Sequence, residues 1–202
     1  MVNEIKELIV DYATLQFNFY KYLESEGFKH PINFSNTQVK HIMIPGEKRN
    51  IFYPYLDEYL GYLNDYILEF YLLEEKYKHL DFRVRTKEKK SITSKLVTYD
   101  SRSENGSFPL QKCLNDLCGS RVILNEEVYT SHEFLTMCED LKKKKIIFRH
   151  YERVDDDYKG YHLYLKNKSN LFFPWELQLW YNENEQLNIA AHEKHKQAYI
   201  RS

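Results

Sequence analysis

Six cations, Arg83, Arg85, Lys87, Lys89, Lys90 and Lys95, fall in a short segment that holds one acid, Glu88. Cations at this density in a near-neutral chain are suited to neutralising phosphates. A β-type run over Phe82 to Arg85 gives way to a helical pattern over Glu88 to Thr98. A strand ending near Lys87 places Arg85 and Lys87 on one face, and a helix starting near Lys90 places Ser91 and Lys95 one turn apart. The helix N-terminus adds its own partial positive charge, so this corner is a candidate polyphosphate site. The other reading of the same charges is a solvated basic surface. Two acids stand out further on. Asp116 precedes Gly119 at an expected helix-to-strand turn, and Glu176 interrupts the apolar run Trp175-Glu176-Leu177-Gln178-Leu179-Trp180. A carboxylate on such a strand is costly to bury unless paired or bound to a metal. Two of them beside a phosphate corner would suit Mg²⁺, which prefers hard oxygen ligands.

The elements that must position these residues follow from periodicity. Apolar side chains at three- and four-residue spacing from Ile5 to Leu23 predict an amphipathic helix ended by Gly27. A polar stretch from Pro31 to Pro54 follows, and then Leu60 to Lys78 is helical in pattern. From Asp81 short strands over Phe82 to Arg85, Gly119 to Leu124, Ile146 to Val154, Tyr161 to Leu165 and Trp175 to Tyr181 alternate with helices. Those helices are expected over Glu88 to Thr98, Pro109 to Leu117, Tyr129 to Lys144 and Glu185 to Tyr199. Asp100 to Phe108, rich in Ser, Asn and Gly, reads as a mobile loop. The fold class is therefore α+β, a single domain over 1–202 with a helical region (1–80), a sheet region (81–182) and a closing helix (183–202).

Composition narrows the function classes. With 202 residues, 43% hydrophobic and 29% charged, the chain is globular and long enough to bury a core without staples. No apolar run approaches a membrane span, and acids stand where a signal peptide would be basic and then apolar, so a cytoplasmic protein is expected. Cys113, Cys118 and Cys138 form no C-x-x-C pair and read as buried thiols. The run Lys142, Lys143, Lys144 and Lys145 ends an expected helix, where cations offset the carbonyl end of the dipole; nucleic-acid contact is the sharper alternative.

Together these segments resemble the RelA/SpoT synthetases. Arg85-Thr-Lys87-Glu-Lys-Lys-Ser91-Ile92-Thr-Ser-Lys95 fits the family string R-x-K-x-x-x-S-I-x-x-K at every specified position. Asp116-Leu-Cys-Gly119-Ser-Arg121 fits D-x-x-G-x-R, and Glu176-Leu-Gln178 fits E-x-Q. Tyr158-Lys159-Gly160-Tyr161-His162 resembles Y-R-S-x-H with two substitutions. The four blocks are specific in combination. The resemblance implies a nucleotidyltransferase-like mixed β-sheet flanked by helices and transfer of pyrophosphate from ATP to a ribose 3′-hydroxyl. It implies that Arg85 and Arg121 sandwich adenine, that Lys87 and Lys95 neutralise phosphates beside Ser91, and that Asp116 holds Mg²⁺. Glu176 would ligate or orient around the metal and help deprotonate the hydroxyl. Tyr158 would stack on the acceptor base, with His162 near its phosphate or ribose and Gln178 beside them.

The departures concern the acceptor. Where alarmone-making relatives usually read Q-I-R-T, this chain has Gln178-Leu179-Trp180-Tyr181, and Glu185 stands where they carry a guanine-pocket asparagine, while His192 keeps its spacing. These features are similar to the toxic small alarmone synthetases, the toxins of toxin–antitoxin pairs, some of which modify the tRNA 3′-CCA end. On that reading Trp180 or Tyr158 offers a stacking surface, Trp180 being equally well read as core. Lys29, Lys142, Lys143, Lys144, Lys145 and Arg149 would form a basic track for tRNA. A neutralising antitoxin is an expected partner. A (p)ppGpp or ppApp synthetase acting on a free nucleotide, and a catalytically inactive binding protein, are the alternatives.

Overall fold

In the computed structural model, residues 1–101, 105–155, 157–166 and 170–201 are described, with side chains as far as Lys194. The core of the fold is a five-stranded mixed sheet, β1 (Arg83–Thr86), β2 (Cys118–Leu124), β3 (Arg149–Asp155), β4 (Tyr158–Leu165) and β5 (Trp175–Tyr181), in the order β1-β2-β5-β4-β3. Only β2 and β5 run parallel; the other pairs are antiparallel. Each central strand alternates, and the alternation gives the sheet two different faces. On one face stand Cys118, Val122, Trp175, Leu177, Leu179, Tyr161 and Leu163, all buried. On the other stand Arg85, Gly119, Arg121, Glu176, Gln178, Trp180, His162 and Tyr164.

The apolar face is covered by helices whose stripes the sequence encodes. α1 (Val2–Ser25) buries Ile5, Leu8, Ile9, Tyr12, Leu15 and Phe19. Tyr12 packs on Trp175 with ring centroids 5.3 Å apart, and its hydroxyl meets Cys118 Sγ at 3.4 Å. After the single turn α2 (Lys40–Met43) comes α3 (Glu47–Asp65), which brings Tyr59 under the sheet, where its hydroxyl accepts from Trp175 Nε1 at 3.1 Å. α4 (Ile67–Lys76) adds Phe70 against Trp175. Burying each such side chain contributes about 1.5–3 kcal/mol. Two helices remain on the way to the sheet's far edge. They are α5 (Lys89–Ser101) and the short α6 (Leu110–Cys113). Then α7 (His132–Lys143), capped by Ser131 accepting from Phe134 N, places Phe134 on Tyr161. The last helix, α8 (Glu185–Arg201), turns back over the polar face.

Several expectations need correction. The stretch ending at Pro54 is not wholly irregular: α3 runs straight through Pro54, because Phe52, Tyr55, Leu56 and Tyr59 share one buried face and their burial outweighs the lost backbone hydrogen bond. The helix expected over Pro109 to Leu117 shrinks to α6, since Leu117 O accepts from Lys87 N at 2.8 Å and is drawn to the end of β1. Part of the loop expected over Asp100 to Phe108, namely 102–104, lies outside the described residues; Asp100 and Ser101 finish α5. The three cysteines are buried and form no disulfide among the described residues. Among the described residues no helix is long and apolar enough to cross a membrane.

Candidate active site

Where β1, β2 and the first turn of α5 meet, a cavity of about 510 Å³ opens, lined by Arg83, Arg85, Lys87, Ser91, Asp116, Arg121, Gln178 and Trp180, with Ile189, His192 and Glu193 of α8 on its far wall. Strand pairing explains the arrangement. Arg85 is opposite Gly119, and Arg83 is opposite Arg121, so three guanidinium groups rise from two neighbouring strands on one face. Gly119 keeps the floor low: a Cβ there would lie 3.5 Å from Arg85 Nε. The segments predicted to bind a polyphosphate are thus brought to one place.

Asp116 sits at the back of this cavity between two lysines. Lys87 Nζ donates to Oδ2 at 2.5 Å and Lys95 Nζ to Oδ1 at 3.0 Å. Burial alone would raise the carboxyl, but Lys95 and then Lys87 hold it well below the ordinary carboxylate range. The lysines respond in opposite ways. Burial lowers both, yet Asp116 more than compensates at Lys95, which is raised, whereas at Lys87 burial with its cationic neighbours Lys95 and Arg85 prevails.

Glu176 lies one layer deeper, 4% exposed, opposite Gly119 on β2 and Tyr164 on β4. Its Oε1 meets His162 Nδ1 at 2.8 Å, and its Oε2 accepts from Gln178 Nε2 at 2.7 Å. His162 Nε2 meets Tyr158 Oη at 2.8 Å, and Trp180 Nε1 donates to that same hydroxyl at 3.0 Å. One placement of hydrogens satisfies the whole chain: Trp180 N–H to Tyr158, Tyr158 O–H to His162, His162 Nδ1–H to Glu176. Burial would raise the Glu176 carboxyl; the His162 hydrogen bond overcomes this and it lies below its usual value. Asp116 is close enough to act on it in the opposite sense. Glu176 does not itself line the cavity; Gly119, opposite it, and Gln178, which holds it, do.

Trp180 and Tyr158, expected as stacking surfaces, are largely covered. Trp180 is 1% and Tyr158 5% exposed. Arg121 lies over the Trp180 ring at 4.4 Å, and His192 stacks on it at 5.4 Å and 26°. Arg153 lies over Tyr158 at 5.1 Å. The cause is α8: Ile189 and Ala191 join the two rings in a small cluster, and Asn188, fully buried, accepts from Lys159 N and donates to Lys159 O. Gly160 permits the packing, since a Cβ there would lie 3.0 Å from Trp180 Cδ1. Burial, followed by the charge of Arg85, pushes His192 down to about 4, so it is neutral at neutral pH.

The residues expected to form a basic track do not gather around the cavity. α7 lies on the apolar side of the sheet, away from the cavity. Lys142 and Lys143 there pair with Glu139 at 3.8 Å and Asp140 at 3.5 Å, while Lys144 and Lys145 line a separate groove against Val10 and Phe17 of α1. Lys29, just past α1, does not line the cavity. Of the six, only Arg149 stands on the face of Glu176. Sequence reasoning passed over Tyr164, Tyr151 and Asn188. The first two follow from the two-residue alternation of β4 and β3 once their register is known; Asn188 carries no sequence signal.

Asp116 and Glu176 both carry hard oxygens of the kind Mg²⁺ takes, and all four are occupied, those of Asp116 by Lys87 and Lys95 and those of Glu176 by His162 and Gln178. Among the described residues no group of three or more His, Cys, Asp or Glu could hold a metal.

No family model matches the chain, and no curated protein matches it. Among solved structures it is similar to the small alarmone synthetase 1 from Bacillus subtilis, at 18% identity and a TM-score of 0.43, over 72% of this chain and 88% of that one. It is also similar to a GTP pyrophosphokinase family protein from Streptococcus pneumoniae, at 17% identity and a TM-score of 0.39, over 78% of this chain and 79% of that one.

Proposed function

We propose that the protein is an ATP-dependent pyrophosphokinase that transfers the β,γ-pyrophosphate of ATP to a ribose 3′-hydroxyl, that of the tRNA 3′-CCA end, and so blocks translation as a toxin with an antitoxin partner. The observation that carries this reading is the convergence of Arg85, Lys87, Ser91, Asp116 and Arg121 on one cavity, with Lys95 behind it on Asp116 and Glu176 held by the lining residue Gln178. Arg121, backed by Trp180, offers its outer face to adenine, with Arg85 beside it. Lys87 and Lys95 would neutralise the phosphates, and Asp116 would hold Mg²⁺, which when bound would add positive charge there.

The acceptor oxygen attacks the β-phosphorus in line, the bond from that phosphorus to the oxygen bridging to the α-phosphate breaks, and AMP leaves. Glu176, held by His162 and Gln178, accepts the hydroxyl proton. Catalysis rests on charge neutralisation and alignment, and no covalent intermediate is required. Incubation with γ-labelled ATP and either deacylated tRNA or GDP tests the reading. Label on tRNA is expected; label on GDP alone defeats the tRNA assignment in favour of alarmone synthesis, and label on neither defeats the enzyme.

A further inference from the structure

Strand pairing draws a straight line across the sheet through Glu176. Arg85 is opposite Gly119, Gly119 opposite Glu176, Glu176 opposite Tyr164, and Tyr164 opposite Arg149. Glu176 is the midpoint of this row, with an arginine two strands, about 10 Å, away on each side. Arg85 belongs to the nucleotide cavity. Arg149 has no role in the reaction described so far.

Its setting is specific. Arg149 is exposed and forms no ion pair among the described residues, and its guanidinium lies over Tyr151 at 4.5 Å and Tyr164 at 5.9 Å. The Tyr151 hydroxyl meets the Tyr164 hydroxyl at 3.2 Å, and Tyr164 in turn interacts with Glu176. The Tyr151 ring lies nearly parallel to His162, at 5.6 Å and 12°. α8 packs on Tyr158 and Trp180, and with Tyr164 only 3% exposed the group this half presents to solvent is Arg149 itself. A guanidinium laid flat on two rings keeps its hydrogen-bonding edge free, and that edge matches a phosphate.

We propose that Arg149 and Tyr151 form the acceptor subsite, with Arg149 gripping the phosphate on the 5′ side of the acceptor nucleoside and Tyr151 bearing on its sugar or base. The inference rests on the proposed reaction and deepens it. A ribose whose 3′-oxygen meets Glu176 lies between the two arginines of the row. With ATP on the Arg85 side, its 5′ side points to Arg149. The 5′-phosphate is common to a free nucleotide and to the last phosphodiester of a tRNA.

The test uses Arg149→Met, which keeps the stem on the tyrosines, Arg149→Lys, which restores charge, and Tyr151→Phe. Binding of deacylated tRNA and of GDP is measured by equilibrium titration, beside the KM of ATP. Arg149→Met should weaken the true acceptor about ten- to hundredfold, as expected for a lost charge-assisted contact, and leave the ATP KM and melting temperature unchanged. Arg149→Lys should recover part of the loss. For tRNA, the slope of log affinity against log salt should fall by about one. Loss confined to tRNA or to GDP identifies the source. An active enzyme whose acceptor binding ignores Arg149→Met overturns the subsite and leaves the reaction standing. Binding that depends on Arg149 without any label transfer removes the reaction and keeps the subsite. A melting temperature lowered in all three variants makes the cluster a packing feature and overturns the proposal.

Discussion

Replacing Asp116 with asparagine separates what this residue does for the fold from what it does for nucleotide binding. Its side chain and that of Lys95 are 13% and 11% exposed and Lys87 is 21% exposed, so the substitution leaves two largely buried cations facing each other. Removing one partner of a buried ion pair costs about 3–5 kcal/mol. Residual solvent at Lys87 puts the expected loss near the lower end, about 3 kcal/mol. For a chain of this size that lowers the melting temperature by about 6–12 °C. The acid limb gives an independent check. The folded carboxyl lies below its ordinary value of 3.8, so its contribution is complete above that value and is lost as the pH falls through the lower folded value. Asp116→Asn should have no such component. The double variant Asp116→Asn with Lys95→Met removes one unpaired cation and should regain much of the stability, yet bind ATP no better, because a phosphate ligand is gone. Thermal melts at several pH values and ATP titrations read all three quantities. If Asp116→Asn melts within about 2 °C of the native protein, or if the double variant is no more stable than the single, the two-lysine clamp is not a structural element and the reasoning fails.

Glu176→Gln keeps the shape but loses the proton acceptor. It should lower kcat by about 10²–10⁴-fold while ATP affinity is retained, and unchanged transfer would refute the assigned role. Trp180→Leu removes the ring beneath Arg121 and should weaken ATP about three- to tenfold, with Trp180→Phe close to native; a rise in acceptor KM instead would return Trp180 to acceptor stacking. Because folding moves His192 from 6.5 down to about 4, the unfolded chain binds more protons between these values, so stability is complete above 6.5 and falls as the pH drops toward 4. Trp180 fluorescence followed through this window should change in the native protein and stay flat in His192→Gln.

Much of the arrangement is legible in the residues themselves. The three- and four-residue spacing of Ile5 to Leu23 gives α1, and the β-type runs place β1, β2 and β5 within a residue or so of their observed ends. The alternation Trp175-Glu176-Leu177-Gln178-Leu179-Trp180 already puts Glu176, Gln178 and Trp180 on one face. It does not say what covers that face, and the burial of Trp180 depends on Ile189, Ala191 and His192, more than eight residues away in sequence and on a helix of weak amphipathicity. The place of the lysine run in the fold was hidden for a similar reason. Charge along Lys142 to Lys145 is visible in the sequence, but the side of the sheet on which α7 packs is decided by Phe134 and Cys138 meeting Tyr161. The helical character of 47–54 was hidden in a polar stretch, because it depends on the tertiary burial of Phe52, Tyr55 and Tyr59.

The two acids of the site are held by different kinds of partner, and this difference divides their work. Asp116 lies between two ammonium groups, so protonating it would strand both of them; it is suited to remain an anion and anchor cations. The contacts of Glu176 come from an imidazole and a side-chain amide, with the Asp116 charge nearby opposing its ionisation. A proton arriving on Glu176 breaks no lysine pair and relieves repulsion from Asp116. Both carboxyls lie below their ordinary range, so it is the difference in partners that, on the proposed reaction, would suit Glu176 to the proton and Asp116 to cations. The same hydrogen bonds that make burial of Glu176 tolerable also fix its rotamer, through a chain ending at Trp180, the ring on which Arg121 lies. On the proposed reaction, the side chains of donor binding and proton acceptance belong to one connected group on one face of the sheet.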